Sequence, residues 1–400
     1  MNDSSSHNFD LILVGATGFT GELTARFLES QKTERWAIAG RNKAKLEAVR
    51  DKLSPSAEMI VTDTSDFSSA KDLVRQGKVI LSTAGPFAKI GTPLVRACVE
   101  LGRDYVDITG EVHWMRNMID QYHESAQSTG SRIVHTCGFD SVPSDLGVML
   151  LKEALLEDSE SQDEPVEILG LVTRLRGGLS GGTIASMRGA LSAAKDRDVA
   201  RVLANPYGLN PSLDPSLRTP RDQYSAKYND DLACWTSPFL MASVNTRVVR
   251  RSEALRGGSH ESLVYKETSR AKSQWRARQQ SALLKAAFLS QAIAPLRALT
   301  APFVVKPGSG PSEESRRNGC FEFEFYGRRL NEEKYTHKVT VGAAYDPGYN
   351  GTAIMIAESA NAALNSRKDK GGVLTPAIAF GHSLVDRLKA HGFRFEVTAL

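Results

Sequence analysis

The sequence predicts an α/β chain, in which a doubly wound parallel sheet is joined to an α+β substrate domain with a mostly antiparallel sheet. Three observations lead there. Between Phe9 and Leu151, short apolar or β-branched runs alternate with helix-like stretches, the signature of successive β-α-β units. Further along, Phe321-Glu-Phe-Glu-Phe325 alternates aromatic with charged residues, as a sheet with one wet face requires. The length of 400 residues exceeds a typical single domain about two- to threefold.

The elements follow in order. Phe9–Val14, Trp36–Ala39, Met59–Val61, Val79–Thr83, Tyr105–Ile108 and Ile133–Thr136 are continuous apolar runs, suited to strands covered on both faces. Pro93–Leu101 reads as a helix capped by Thr92 and closed by Gly102. The acidic stretch from Glu153 to Glu167 reads as a solvated helix end and loop rather than a metal site. Tyr335–Ala344 is the expected partner of the Phe321–Phe325 strand. Residues 205–220 and 306–319 are rich in Pro, Asn, Gly and Ser and read as long loops. Thr352–Leu364 and Phe380–His391 are helical, with Gly392 at the second C-terminus. The expected division is a disordered N-terminus over 1–8, a nucleotide domain over 9–151, an inserted substrate or dimerisation domain over 152–350, and C-terminal helices over 351–400 that return to the first domain.

Composition narrows the function. With 50 Lys+Arg against 46 Asp+Glu the net charge is +4, too small a bias to predict nucleic-acid binding. The four cysteines at 98, 137, 234 and 320 form no C-x-x-C pair, so neither a zinc knuckle nor a disulfide framework is expected. Met1–Asn8 is short, polar and Ser-rich, unlike a signal peptide. No run of about 18 apolar residues occurs. The expectation is a cytoplasmic protein with no metal.

Gly15-Ala-Thr17-Gly18-Phe19-Thr20-Gly21 follows the first strand and opens a helix. Gly15 allows a tight turn, Gly18 a close approach of a pyrophosphate, and Gly21 close helix–strand packing. Backbone N–H groups at the helix start then face the phosphates. The spacing is G-x-x-G-x-x-G, and its strand–turn–helix context marks the first domain as a Rossmann dinucleotide site. An NAD site carries an acid near the end of the second strand; this chain has Gly40-Arg41-Asn42 there and no acid before Glu47. A guanidinium suits a 2′-phosphate, so the expected cofactor is NADPH. Asp63, after the third strand, either accepts from the adenine amino group or caps a helix. Ala84-Gly85-Pro86 ends the fourth strand on the ligand side, with Gly138 at the same edge.

These motifs resemble those of the saccharopine-dehydrogenase-like oxidoreductases, and more narrowly of their trans-acting enoyl reductase branch. The carrying residues are Gly15–Gly21, Trp36–Arg41, Ala84–Pro86 with Gly91, Tyr105–Glu111, Gly138–Asp145 and Ser180–Thr183. The narrower branch adds Pro307–Glu314, Gly348–Gly351 and Gly372–Pro376; where its loop carries an acid, this chain has Ser309. The resemblance implies NADPH-dependent reduction of an enoyl acyl or polyketide chain, in trans and on a carrier-bound substrate.

Such a reduction needs a hydride at Cβ, a donor to the thioester oxygen and a proton at Cα. No nucleophile triad is needed, and the eight histidines show no triad or ligand spacing. Neither Tyr105 nor Tyr122 has the lysine of a Y-x-x-x-K pair. Asp140 and Ser141 are catalytic candidates or a helix cap before Pro143. Glu111 either accepts from a ribose or substrate or caps the helix through Trp114–Tyr122. Ser180-Gly-Gly-Thr183 offers Thr183 and backbone N–H groups to a carbonyl, or caps a helix. An imine or opine-type reductase is the alternative, for which Arg174 and Arg176 are the obvious cationic pair. A lipid-surface protein without turnover is the other.

Between Arg247 and Lys306 twelve Lys/Arg face three Glu. Within this stretch 283–305 is apolar, and Pro295 and Pro302 break it. It suits an anionic lipid surface, an acidic carrier protein, or a domain seam or homodimer contact.

Overall fold

A computed structural model describes residues 7–53, 57–159, 161, 164–177, 181–211, 221–259, 261–300, 310–366 and 370–400. Residues 1–6, Ser180, 212–220, Pro302 with the end of the 283–305 segment, and Ser309 lie outside them.

The first half alternates β1 (Phe9–Val14), α1 (Phe19–Ser30), β2 (Trp36–Gly40), α2 (Lys43–Arg50), β3 (Glu58–Val61), α3 (Phe67–Val74) and β4 (Gly77–Ser82). It continues with α4 (Phe87–Ile90), α5 (Thr92–Glu100), β5 (Asp104–Asp107), α6 (Val112–Thr129), β6 (Arg132–Val134) and α7 (Val142–Leu155). The second half contains β7 (Val166–Arg176), α8 (Gly181–Ala193), α9 (Arg197–Ala204), β8 (Lys227–Asn229), β9 (Cys234–Pro238), α10 (Ala242–Leu255) and β10 (Leu263–Ala271). Then come α11 (Gln274–Ala292), α12 (Ala294–Thr300), α13 (Glu313–Arg317), β11 (Cys320–Arg329), β12 (His337–Ala343) and α14 (Thr352–Asn365), preceded by one π-turn over Pro347–Gly351. The chain closes with β13 (Gly372–Leu374), α15 (Pro376–Ala379), α16 (Gly381–Ala390) and β14 (Arg394–Ala399).

The first sheet runs β13-β6-β5-β4-β1-β2-β3 and is parallel throughout. Strand order reverses between β1 and β4, and ligands of such sheets bind at that switch point. The second sheet runs β14-β12-β11-β7-β10-β9-β8, antiparallel except for the β7–β10 pair. In β11 the rings of Phe321, Phe323 and Phe325 are buried while Glu322 and Glu324 face outward. Helix α7 crosses this aromatic face, where a Cβ on Gly147 would meet Phe325 Cε2 at 2.4 Å. Glycine is therefore the residue that lets α7 reach the sheet.

The C-terminal segment differs from the expectation of helices alone. β13 extends the first sheet and β14 the second, and neither carries a readable period. β13 has three residues, and β14 is an edge strand with Phe395 its one buried side chain. Thr92 is not a cap; Gly91 holds that position in α5, and the Thr92 hydroxyl accepts from Trp114 Nε1 at 3.0 Å.

The basic stretch is also corrected in part. Arg247, Arg250 and Arg251 of α10 are buried and so leave the surface count. Arg247 pairs with Asp222. Arg250 donates to the Tyr265 carbonyl at 2.7 Å, and Arg251 to the carbonyls of Leu209 and Val373 at 2.5 and 2.6 Å. Spacing along the chain cannot reveal this, because buried carbonyls of loops and strand ends create the demand for these donors.

Candidate active site

The glycine turn between β1 and α1 is shaped by close approach. Gly15 has φ +91°, and a Cβ on it would lie 2.8 Å from the Ala84 nitrogen. A Cβ on Gly21 would stand 2.1 Å from the Gly15 oxygen. Gly18 occupies the N-cap of α1 with no side chain capping the helix, and the nearest atom to its would-be Cβ is 3.4 Å away. The helix start thus presents backbone N–H groups to open space, the arrangement that binds a phosphate. Thr17, Phe19 and Thr20 line the same cavity. Phe19 is held edge-on by Tyr349, with ring centroids 4.9 Å apart. Arg316 lies over the same ring at 5.1 Å, so the segment after Ser309 reaches the glycine turn.

Arg41 follows β2, lines the cavity and is exposed. It makes no hydrogen bond or ion pair with another described residue. Lys45, one turn into α2, lines the same wall; Asn42 begins that helix by accepting from the Lys45 N–H at 2.9 Å. Two cations therefore stand side by side on this wall of the cavity. Asp63 lines the wall as well, but its carboxylate accepts from the hydroxyl and N–H of Ser65 at 2.7 and 3.0 Å. Those hydrogen bonds, the hydroxyl's first, hold its pKa below the usual carboxylate value. The cap of α3 is Asp66, not Asp63.

Ala84-Gly85-Pro86 leads from β4 into α4 along the cavity. Buried Glu111 accepts from the backbone N–H groups of Phe87 and Ala88 at 2.9 and 3.0 Å, one to each oxygen. Its carboxylate serves α4 and not α6, where no side-chain cap is made. Glu111 thus holds the loop that leads from β4 into α4 along the cavity.

Gly138 approaches α14 so closely that a Cβ would sit 2.9 Å from Thr352 Cγ2, while the Thr352 hydroxyl accepts from the Phe139 N–H at 3.1 Å. Asp140 follows on the cavity wall. Its Oδ1 is buried without a hydrogen-bond partner among the described residues. Burial, with the charge of Glu267 as a smaller cause, pushes its carboxyl from 3.8 up to about 7. Glu267 is itself buried and raised by desolvation, and it holds Tyr265 Oη at 2.5 Å and Asn245 Nδ2 at 2.7 Å. Ser141 occupies the N-cap position of α7, but its hydroxyl makes no capping hydrogen bond. The Ser141 hydroxyl is wholly buried and does not line the cavity, so the structure separates it from Asp140 as a reacting group.

The cavity, about 1570 Å³, continues from the glycine turn past Asp140 into a chamber walled by α8, α9 and α11. Thr183 lies at the start of α8 on this wall. Beyond it the lining is mainly apolar, with Met187, Leu191, Leu203, Leu284 and Phe288 among its side chains. Arg174 and Arg270, on neighbouring strands β7 and β10, also line it; Arg176, the expected partner of Arg174, does not.

Residues 11–134 match the saccharopine dehydrogenase NADP binding domain. The whole chain is 36% identical to the trans-acting enoyl reductase of Mycobacterium ulcerans, over 99% of each protein. It is 35% identical to the trans-acting enoyl reductase of Mycobacterium leprae, over 98% of each. A Mycobacterium tuberculosis protein named for the same activity is 39% identical over 99% of both chains. The chain belongs to the trans-acting enoyl reductase family. Its fold is that of the saccharopine dehydrogenases: apo saccharopine dehydrogenase (L-Glu forming) of Saccharomyces cerevisiae superposes with a TM-score of 0.55, covering 98% of this chain and all of that one at 13% identity. This family member is an oxidoreductase with an NADP(H)-binding domain.

The glycine cradle and the cation pair fit that cofactor. Three residues at or beside the cavity were not singled out in the sequence. Lys45 carried a signal, four residues after Arg41 at a helix start. Tyr349 lay inside the Gly348–Gly351 motif without a role of its own, and Glu267 carried no signal, since its burial depends on neighbours distant in the chain.

Proposed function

We propose that this enoyl reductase family member uses NADPH, in preference to NADH, to reduce the α,β double bond of a long acyl or polyketide-like thioester presented in trans by a carrier. The observation that carries the reading is the single cavity that joins a dinucleotide cradle to an apolar chamber, with a half-buried carboxyl, Asp140, between them. When bound, NADPH supplies the hydride. Arg41 and Lys45 would hold the 2′-phosphate and the start of α1 the pyrophosphate, while Glu111 fixes the loop that would face the nicotinamide half. Asp140, protonated below about pH 7 because burial disfavours its charge, delivers the proton to Cα. The Thr183 hydroxyl donates to the thioester oxygen. The apolar walls exclude water and take the chain.

The test is NADPH consumption with enoyl thioesters of graded length beside keto-acid and amine pairs, with NADH as the comparison and Arg41→Ala as the variant. Turnover of the thioesters, with a lower KM for NADPH that rises at least tenfold in Arg41→Ala, is expected. Equal KM values for both cofactors in the wild type would overturn the NADPH preference. Arg174 and Arg270 on the cavity wall favour a carboxylate-bearing substrate as the second reading; turnover of the keto-acid and amine pairs alone would establish it.

A further inference from the structure

Helix α11 is built differently from a water-facing helix. Its inward stripe, Ala277, Ser281, Leu284, Phe288 and Gln291, is buried or half-buried and includes two walls of the acyl chamber. The opposite side is not polar. Trp275 is 66% exposed, Leu283 63% and Leu289 55%; beyond the break at Ile293, Leu299 of α12 is 72% exposed, and Ile293 and Leu296 are exposed too. A helix that is apolar on both sides belongs in a core or at a lipid phase, and large exposed apolar patches mark interaction sites.

The charges around this pole are of one sign. Arg276, Arg278 and Lys285 flank it on α11 and Arg297 on α12, and all four are exposed. No acid occurs in the sequence between Glu267 and Glu313. A second copy docking through the same surface would set these cations against themselves, which like-charge repulsion disfavours. A carrier protein would answer the cations but not the Trp275, Leu283, Leu289 and Leu299 side chains, which need an apolar phase. An anionic bilayer answers both, since its headgroups meet the cations and its acyl boundary takes the leucines. Neither helix spans: among the described residues no helix is long and apolar enough to cross a membrane.

We propose that α11 and α12 form a peripheral membrane-docking surface that seats the outer wall of the chamber on anionic phospholipid. The inference stands on the surface alone and goes beyond the enzymatic reading. Each cation adds on the order of fivefold to partitioning onto an anionic surface, and the leucines add a salt-insensitive share.

The test is co-sedimentation of the full-length protein with phosphatidylcholine vesicles with and without phosphatidylglycerol, at low and high salt. The variant is Leu289→Glu/Ile293→Glu/Leu299→Glu, with NADPH fluorescence titration as the folding control, because these three side chains face away from the cavity. Partitioning onto the anionic vesicles that weakens with salt and falls at least tenfold in the variant is expected, with NADPH affinity unchanged. Absence of wild-type partitioning at low salt overturns the proposal. So does partitioning that the triple variant leaves intact, or a surface that the variant shows to be a dimer contact by converting a dimer to monomers in light scattering. Capture by an acyl-carrier protein without vesicle binding overturns it in favour of that partner.

Discussion

Asp140 stands half-buried on the cavity wall, with one carboxyl oxygen, Oδ1, buried and without a hydrogen-bond partner among the described residues. A carboxyl so placed is kept neutral by desolvation, as buried general acids are. Its folded pKa, about 7, stands above the ordinary 3.8, so the folded state keeps a proton that the unfolded chain releases. The stability from that proton is complete below about pH 3.8 and declines as pH rises towards 7, beyond which it is lost. Asp140→Asn should therefore lose less Tm than the wild type when pH is raised from about 5 to about 8. The same variant should lower kcat on the order of 10²- to 10⁴-fold, the usual worth of a general acid, with little change in NADPH affinity. Wild-type kcat should fall as pH rises through about 7. Full turnover by Asp140→Asn would remove this residue from the chemistry. The sequence placed Asp140 at the correct sheet edge, after β6. It could not separate Asp140 from Ser141, because two adjacent residues share every local signal while only one faces the cavity.

At the scale of elements, α4 shows how little of a site is visible in its own residues. This helix of four residues is held by Glu111, twenty-four positions away from the Phe87 N–H it binds. A carboxylate satisfies two helix-start donors at once and adds charge assistance. Glu111→Gln keeps the shape but sets an amide NH₂ against one of those N–H groups. The expected cost is about 1–3 kcal/mol, seen as a lower Tm and a weaker NADPH affinity by fluorescence titration. An unchanged affinity would show that the loop holds its place without the carboxylate. The strong elements were legible: β1, α1, β2 and the aromatic strand β11 carry their own periodicity and turn residues. The weak ones were not. β13 is too short to show alternation, and β14 lies at a sheet edge where five of its six side chains are exposed.

Across the whole molecule, the two sheets are tied through shared elements rather than a seam of side chains alone. Helix α7 leaves the dinucleotide edge and packs on the aromatic face of β11. Arg251, from the second half of the chain, donates to the Val373 carbonyl of β13 in the first sheet and to Leu209 in the loop between α9 and β8. Replacing it by methionine preserves bulk but strands two buried acceptors, at about 1–3 kcal/mol each. A lower urea midpoint is therefore expected for Arg251→Met, and an unchanged midpoint would mean that water or another donor reaches those carbonyls. The sequence by itself determined the alternation of strands and helices, the glycine cradle and the cation after β2. It also carried the family resemblance that the comparisons bear out, because these are written in adjacent residues and local backbone needs. Only the tertiary structure decided which basic residues are structural donors and which remain at the surface, which of Asp140 and Ser141 meets the cavity, and that Glu111 serves α4. The reason is physical: burial and charge environment are set by atoms brought together from distant parts of the chain, and no local pattern encodes them.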